Sequence, residues 1–253
     1  MHCVYALVQS VTSKLESSRT GLNSALSLAV VIPLIDERKQ LPALVEQLKE
    51  LAPEQIIFVD GGSTDGTLEW IEQNAVSDQI HLISSTAGRA KQMNLGASAA
   101  NQDVLLFLHA DTVLPANAKQ DICYSSTQEG HWGRFDVTFD DSSLAMSVIA
   151  FFKNWRSRLT NVSTGDQAMF IHQQLFDRVG GFDDIALMED VAMSKKLRSI
   201  VKPINSSLKV VTSARRWKTH GVIKTVLTMW AYRFAYFVGV SPDRLAQGYR
   251  KVR

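Results

Sequence analysis

Val59-Asp60-Gly61-Gly62-Ser63-Thr64-Asp65-Gly66-Thr67 is the stretch that decides the fold. An apolar run at 56–60 leads into it and a helical pattern at 67–74 leaves it, so a buried strand passes through a glycine-rich turn into a helix. The glycines allow close backbone approach, and Asp65 or Thr67 can cap the helix. Turns of this kind are common in α/β proteins, so the loop alone fits an ordinary connection as well as a ligand site. Asp60 at the strand tip adds chemistry, because a carboxylate there can accept from the ring N–H of uracil or from ribose hydroxyls.

Outward from this turn, strand-like runs at 28–34, 80–83 and 104–108 alternate with helical patterns. Leu41, Leu44, Val45, Leu48 and Leu51 share one helical face, and a further helix is predicted at 90–100. Continuous apolar strands in such alternation predict a parallel, doubly wound sheet covered by helices on both faces. Ligands of these sheets bind beyond the carboxyl ends of the strands. Asp36 and Glu37 follow the first strand, Asp60 ends the second, and His109 and Asp111 end the fourth, so the acidic groups converge on one rim. The rest is less regular, with strands predicted at 132–139 and 168–172, an apolar segment at 144–152 and a helix at 190–199.

The chain has 253 residues, 45% of them hydrophobic, enough for one domain over 28–253. Within it, 28–114 reads as a nucleotide-binding half and 115–253 as an acceptor-binding half; residues 1–27 read as a poorly ordered extension. A net charge of +2 and no basic run argue against nucleic acid as a partner. Two cysteines, Cys3 and Cys123, make neither a disulfide framework nor a zinc site and fit a reducing cytoplasm. No window is long and apolar enough to span a bilayer. At 222–240, Ile223, Leu227, Trp230, Phe234 and Phe237 recur at helical spacing opposite Lys224, Thr225, Thr228 and Tyr232. This amphipathic helix has two readings, one docked on the core and one lying as a peripheral contact on a membrane surface.

Hard divalent cations bind through one or two carboxylates plus substrate phosphates, which makes Asp111 the candidate ligand for Mg²⁺ or Mn²⁺. His109 is a weaker ligand candidate, or a hydrogen-bond donor to phosphate or acceptor; the plain reading of Asp111 is a strand-end residue that starts a turn before Pro115. Glu189 and Asp190 open a helix. Acidic residues there are routine caps, yet a carboxylate beside an acceptor hydroxyl is also what direct displacement at a sugar needs as its base. Arg89, Lys91 and Asn94 near the start of one helix, and Arg215, Arg216 and His220 after the last predicted strand, bracket the acidic strand ends where a departing diphosphate must be neutralised. Thr164-Gly165-Asp166-Gln167 is a polar loop suited to sugar hydroxyls, so Asp166, Gln167 and Trp132 are the acceptor-side candidates. Pro33 and Gly62 join the donor side.

These residues resemble the family-2 glycosyltransferases of GT-A fold. Val31-Ile32-Pro33-Leu34-Ile35-Asp36-Glu37 is similar to that family's strand with Pro and Asn-Glu, and residues 59–66 to its Val-Asp-Asp-Gly-Ser-Thr-Asp-Gly element. Arg89-Ala90-Lys91-Gln92-Met93-Asn94, Leu106-Phe107-Leu108-His109-Ala110-Asp111-Thr112, Thr164-Gly165-Asp166-Gln167 and Leu187-Met188-Glu189-Asp190-Val191 resemble a bacterial subgroup labelled arsenosugar-biosynthesis glycosyltransferases. The resemblance implies a Rossmann-like, mostly parallel sheet with a merged acceptor-binding half, and an inverting transfer from a UDP- or GDP-sugar to a small-molecule or lipid-linked acceptor. It places Asp60 at the nucleoside, Asp111 on the metal and Asp190 as general base. Two positions depart from the family pattern: Gly61 stands where a second acidic residue is usual, and the Asp-x-Asp metal motif reads His109-Ala110-Asp111, which leaves His220 as a further candidate ligand.

A sugar-phosphate nucleotidyltransferase would share the nucleotide rim, but its glycine-rich, basic loop after the first strand is absent. A nucleotide-sugar-binding protein without catalysis fits the altered metal motif. A redox dinucleotide fingerprint is missing, because residues 33–38 contain no glycine.

Overall fold

Apolar residues on both faces of the early strands set the architecture. In the computed structural model, which describes residues 26–75, 77–125 and 130–250, the elements run β1 (Leu28–Leu34), α1 (Leu41–Leu51), β2 (Gln55–Asp60), α2 (Thr67–Asn74), β3 (Ile80–Ser84), α3 (Arg89–Ser98), β4 (Val104–Phe107), β5 (Thr112–Val113) and α4 (Ala118–Ser125). They continue with β6 (Trp132–Phe139), α5 (Leu144–Thr160), a 3₁₀ turn (Gly165–Gln167), β7 (Met169–His172), α6 (Gln173–Arg178), α7 (Glu189–Arg198), β8 (Ile204–Thr212), α8 (Arg215–His220), α9 (Val222–Phe237) and α10 (Pro242–Arg250). Most of the extension expected at 1–27 lies outside the described residues.

Side chains alternate across a strand, and β1 sends Leu28, Val30, Ile32 and Leu34 into one core and Ala29 and Val31 into another. Leu41 and Leu44 of α1, Ile71 of α2 and Ile122 of α4 close the first core; Met93 of α3, Leu175 of α6 and Met193 of α7 close the second. Helices therefore cover both faces, as the apolar strands require.

The strands form one sheet of eight in the order β3-β2-β1-β4-β7-β6-β8-β5. β1 to β4 pair in parallel, as expected, and the antiparallel pairings fall in the second half of the sheet. β7 runs antiparallel to β4, with Met169 opposite Phe107. The reason is local: the chain passes through the Gly165–Gln167 turn and re-enters the sheet beside the carboxyl end of β4, so it can only run back down. β6 is antiparallel to β7 and parallel to β8, and β8 pairs antiparallel with the short edge strand β5.

The amphipathic helix expected near the carboxyl end is α9, and its apolar stripe does not dock on the core. Ile223, Leu227, Trp230, Phe234 and Phe237 are all exposed, Trp230 at 71%. Among the described residues, no helix is long and apolar enough to cross a membrane.

Candidate active site at the strand ends

The loops after β1 and β2 form one hydrogen-bonded unit. Asp60 is only 2% exposed, and its carboxylate accepts from Gly62 N at 2.9 Å, Ser63 N at 3.1 Å and Ser63 Oγ at 2.5 Å. Ser63 Oγ in turn accepts from Asp36 N at 2.9 Å, and Asp36 Oδ1 accepts from Thr64 N at 2.7 Å. Glu37 N donates to Thr67 Oγ1 and Arg38 N to Asp65 Oδ2, both at 3.0 Å. In this conformation Asp60 and Asp36 shape the rim, and the exposed Gly62 takes a left-handed conformation at φ +93°.

Gln92 of α3 anchors the rim from below. Its side-chain amide donates to Leu34 O and Val59 O, each at 2.8 Å, and so ties the last residues of β1 and β2 together. This explains Gly61. A Cβ at that position would stand 2.9 Å from Gln92 Nε2, which leaves no room for the acidic side chain usual in the resembled motif while Gln92 holds both carbonyls.

A second set of contacts brings distant segments to the end of β4. A Cβ on Gly165 would lie 2.6 Å from His109 Cε1, so the imidazole packs directly against Gly165. Gly165 N donates to Asp190 Oδ2 at 2.8 Å, and Asp190 Oδ1 accepts from Val191 N at 2.7 Å. The next residue, Asp166, pairs with Lys153 of α5, and its other oxygen, Oδ1, is buried without a hydrogen bond. Burial and the neighbouring Arg233 charge push the Lys153 ammonium down to about 7, against the opposing pull of Asp190. Glu189 is buried and lies 3.5 Å from Arg89. Its burial and the Asp190 charge beside it raise its carboxyl above the ordinary range, outweighing Arg89. His109, Asp166, Asp190, Glu189 and Arg89 thus surround one place, with Lys153 and Arg233 behind it.

Three of the expected site residues turn their polar groups into the fold. Trp132 is fully buried in the second core, with Nε1 donating to Val201 O at 2.9 Å, and cannot meet an acceptor. Gln167 is equally buried, and its Oε1 closes the 3₁₀ turn by accepting from Thr164 N and Ser157 Oγ, each at 3.0 Å. Asn94, expected at the donor, instead clamps the loop before α7: its Oδ1 accepts from Phe182 N at 2.9 Å and its Nδ2 donates to Phe182 O at 2.8 Å. That clamp pins the Gly180-Gly181-Phe182-Asp183 turn, and the same helix α3 therefore holds both the rim after β1 and β2 and the loop before α7.

Pro33 is half-buried in β1, and Arg215 is exposed at the start of α8. Arg216 and His220 also fall in α8, and their side chains lie outside those described. Asp111 is half-buried, and its carboxylate has no hydrogen-bond or ion-pair partner among the described residues. It is therefore available to a cation. Among the described residues no group of three or more His, Cys, Asp or Glu side chains is arranged to hold a metal by itself, so an ion there would depend on ligand phosphate oxygens to complete its shell. Lys153 and Arg233 were missed by sequence reasoning. Lys153 could have been found, since it continues the buried spacing Met146, Ala150, Ser157 on α5.

The family profile described as "Glycosyl transferase family 2" matches residues 29–182. The chain belongs to this family. Among curated proteins, an undecaprenyl-phosphate 4-deoxy-4-formamido-L-arabinose transferase of Photorhabdus laumondii is 32% identical over 97 residues, which is 35% of this chain and 30% of that protein. The Proteus mirabilis protein of the same name is 31% identical over the same share. The match thus spans about a third of this chain and less than a third of each relative. Among solved structures, residues 1–349 of S. aureus TarS superpose with a TM-score of 0.58 at 17% identity, covering 76% of this chain and 61% of that one. The complex of TarS 1–349 with UDP gives 0.57 at 17% identity, covering 74% and 60%. These structures share the GT-A fold, including its helix-flanked mixed sheet.

Proposed function

We propose that this family-2 protein transfers a sugar, with inversion, from a nucleotide-sugar donor to a lipid-linked acceptor. The observation that carries the reading is that two rims follow the carboxyl ends of neighbouring strands: the Asp36–Asp60–Ser63 unit after β1 and β2, and the His109–Gly165–Asp190 cluster after β4. A nucleoside diphosphate sugar, UDP- or GDP-linked, spans the first, and its anomeric carbon is presented to the second. TarS, of the same fold, was crystallised with UDP, and the bacterial relatives are named for an undecaprenyl-phosphate substrate; both support this choice of substrates.

In this reading Asp190 is the general base. Gly165 N and Val191 N hold its carboxylate in one orientation, and the acceptor oxygen loses its proton to it as it attacks the anomeric carbon from the face opposite the departing diphosphate. Asp166 Oδ1, buried without a partner, accepts a hydroxyl of the sugar or acceptor. Arg89 and Arg215 offer positive charge to the leaving diphosphate. Asp111 would hold a Mg²⁺ or Mn²⁺ ion, whose contribution is to neutralise the same diphosphate.

Changing Asp190 to Asn tests the base. Donor binding, read by calorimetry with UDP- and GDP-sugars, should survive, while transfer should fall by about 10²-fold or more. Unaltered turnover would remove the assignment. Loss of both would mean that Asp190 builds the site rather than acting in it.

A further inference from the structure

Two helices of the second half each present one face to the site and another to solvent. On α5, Met146, Ala150 and Ser157 are buried and Lys153 reaches Asp166, while Phe151, Phe152 and Trp155 are exposed. On α9, Thr225 is buried and the half-buried Arg233 lies close enough to bear on the Lys153 charge, while Leu227, Trp230 and Phe234 are exposed. The helices come together near Val222, which packs against the small core of Met146, Ala150 and Ala214, and further along the Arg233 charge bears on Lys153. Their outward stripes therefore form one surface beside the acceptor side of the site. Single exposed apolar residues need no account, but two adjoining aromatic-rich stripes do.

The charge pattern says what covers them. α5, α8 and α9 carry Lys and Arg but no Asp or Glu. Beside the α5 stripe is a cleft of about 370 Å³ lined by Phe151, Trp155, Arg158 and Lys209; Arg158 pairs with Asp136, while Lys209 is exposed and has no ion pair among the described residues. Aromatic side chains next to a cation without an acidic partner, on helices that carry basic but no acidic residues, are the composition of a surface that lies in a bilayer interface and is drawn to anionic lipid. A second copy fits worse, because a twofold contact would set each basic helix against its own like charges.

We propose that the outward faces of α5 and α9 dock this chain on an anionic lipid bilayer, with Lys209 of the α5 cleft at the level of the phosphate headgroups. The purpose of this surface rests on the lipid-linked acceptor reading, since Lys153 and Arg233 on the inner faces of the same helices stand behind Asp166 and Asp190. Its test does not, because vesicle binding is read without donor, acceptor or turnover.

The full chain should co-sediment with vesicles of phosphatidylcholine mixed with phosphatidylglycerol, bind phosphatidylcholine alone much more weakly, and lose binding as salt is raised. The double variant Trp230→Glu and Phe234→Glu, and separately Phe151→Glu, should lower partitioning by roughly tenfold or more while circular dichroism shows the fold intact, as expected for exposed positions. No co-sedimentation, equal binding to both vesicles, or variants that bind as well as the parent would overturn the proposal. So would dimerisation of the parent in sedimentation velocity that the same variants abolish without any vesicle binding, which would give the surface to a second copy. Vesicle binding without sugar transfer would leave the surface standing and break the reading of the reaction.

Discussion

Trp132 and Trp230 are the same residue in two different proteins, as far as packing is concerned. Trp132 begins β6, is 0% exposed and has its indole N–H bonded to Val201 O; Trp230 lies on α9 and is 71% exposed. The first belongs to a sheet in which strands buried on both faces leave no freedom to rearrange. The second belongs to a surface whose apolar side chains are exposed among the described residues. Stability in this molecule is therefore concentrated in the sheet and its two layers, while α5 and α9 hold to it by their inner faces alone and keep their outer faces for something else.

The largest expected effect breaks that comparison most directly. Trp132→Ala should cost about 3–5 kcal/mol of unfolding free energy, from the lost transfer of the indole and the cavity left among Leu105, Ile171 and their neighbours. Trp230→Ala should stay within about 0.5 kcal/mol, as surface substitutions do. Urea unfolding of both variants reads the difference. A comparable loss at Trp230 would mean that α9 is covered in solution, and the exposed stripe would need a protein partner.

A middle-sized effect tests whether the rim after β1 and β2 is as tightly built as the strands that carry it. Gly61→Ala places a Cβ 2.9 Å from Gln92 Nε2, which cannot withdraw without releasing Leu34 O and Val59 O. Overpacking of this kind costs about 1–3 kcal/mol. Gln92→Ala removes the clash along with the two hydrogen bonds, so the double variant should be less destabilised than the sum of the singles, and the coupling is read from a double-mutant cycle. Additive losses would show that Gln92 does not hold the rim where Gly61 meets it.

The same contrast explains what could be read without a structure. β2 and α2 were legible almost to the residue, because an apolar strand, a glycine turn and a helical pattern leave one solution. Parallel pairing beyond β4 was not legible, since the antiparallel entry of β7 depends on where the 165–167 turn sits in space. α5 extends to Thr160, past the apolar segment 144–152, because Lys153 and Ser157 continue its inner stripe with polar atoms that find partners in the site. At the candidate site, residue types placed the polar groups at the strand ends but did not give side-chain directions. Asn94 and Trp132 carry suitable chemistry and face inward; Lys153 and Arg233 come from helices far away in sequence, and only their folding onto Asp166 and Asp190 makes them part of it.

The smallest effect concerns Glu189, at the seam between the two regions. Burial raises its carboxyl above the ordinary Glu value of 4.5, the Asp190 charge adds to the rise, and Arg89 offsets only part of it. The folded chain thus keeps the Glu189 proton to a higher pH than the unfolded chain does, so the stability linked to this group is complete below about 4.5 and is lost as pH rises through the raised folded value. Glu189→Gln carries the neutral shape at every pH. Its unfolding midpoint should match the parent near pH 4 and exceed it at neutral pH, with a flatter profile between. A variant weaker than the parent at neutral pH would show instead that the Arg89 pair outweighs the burial of the charge, and that α3 and α7 are held together by that ion pair as much as by the Asn94 clamp.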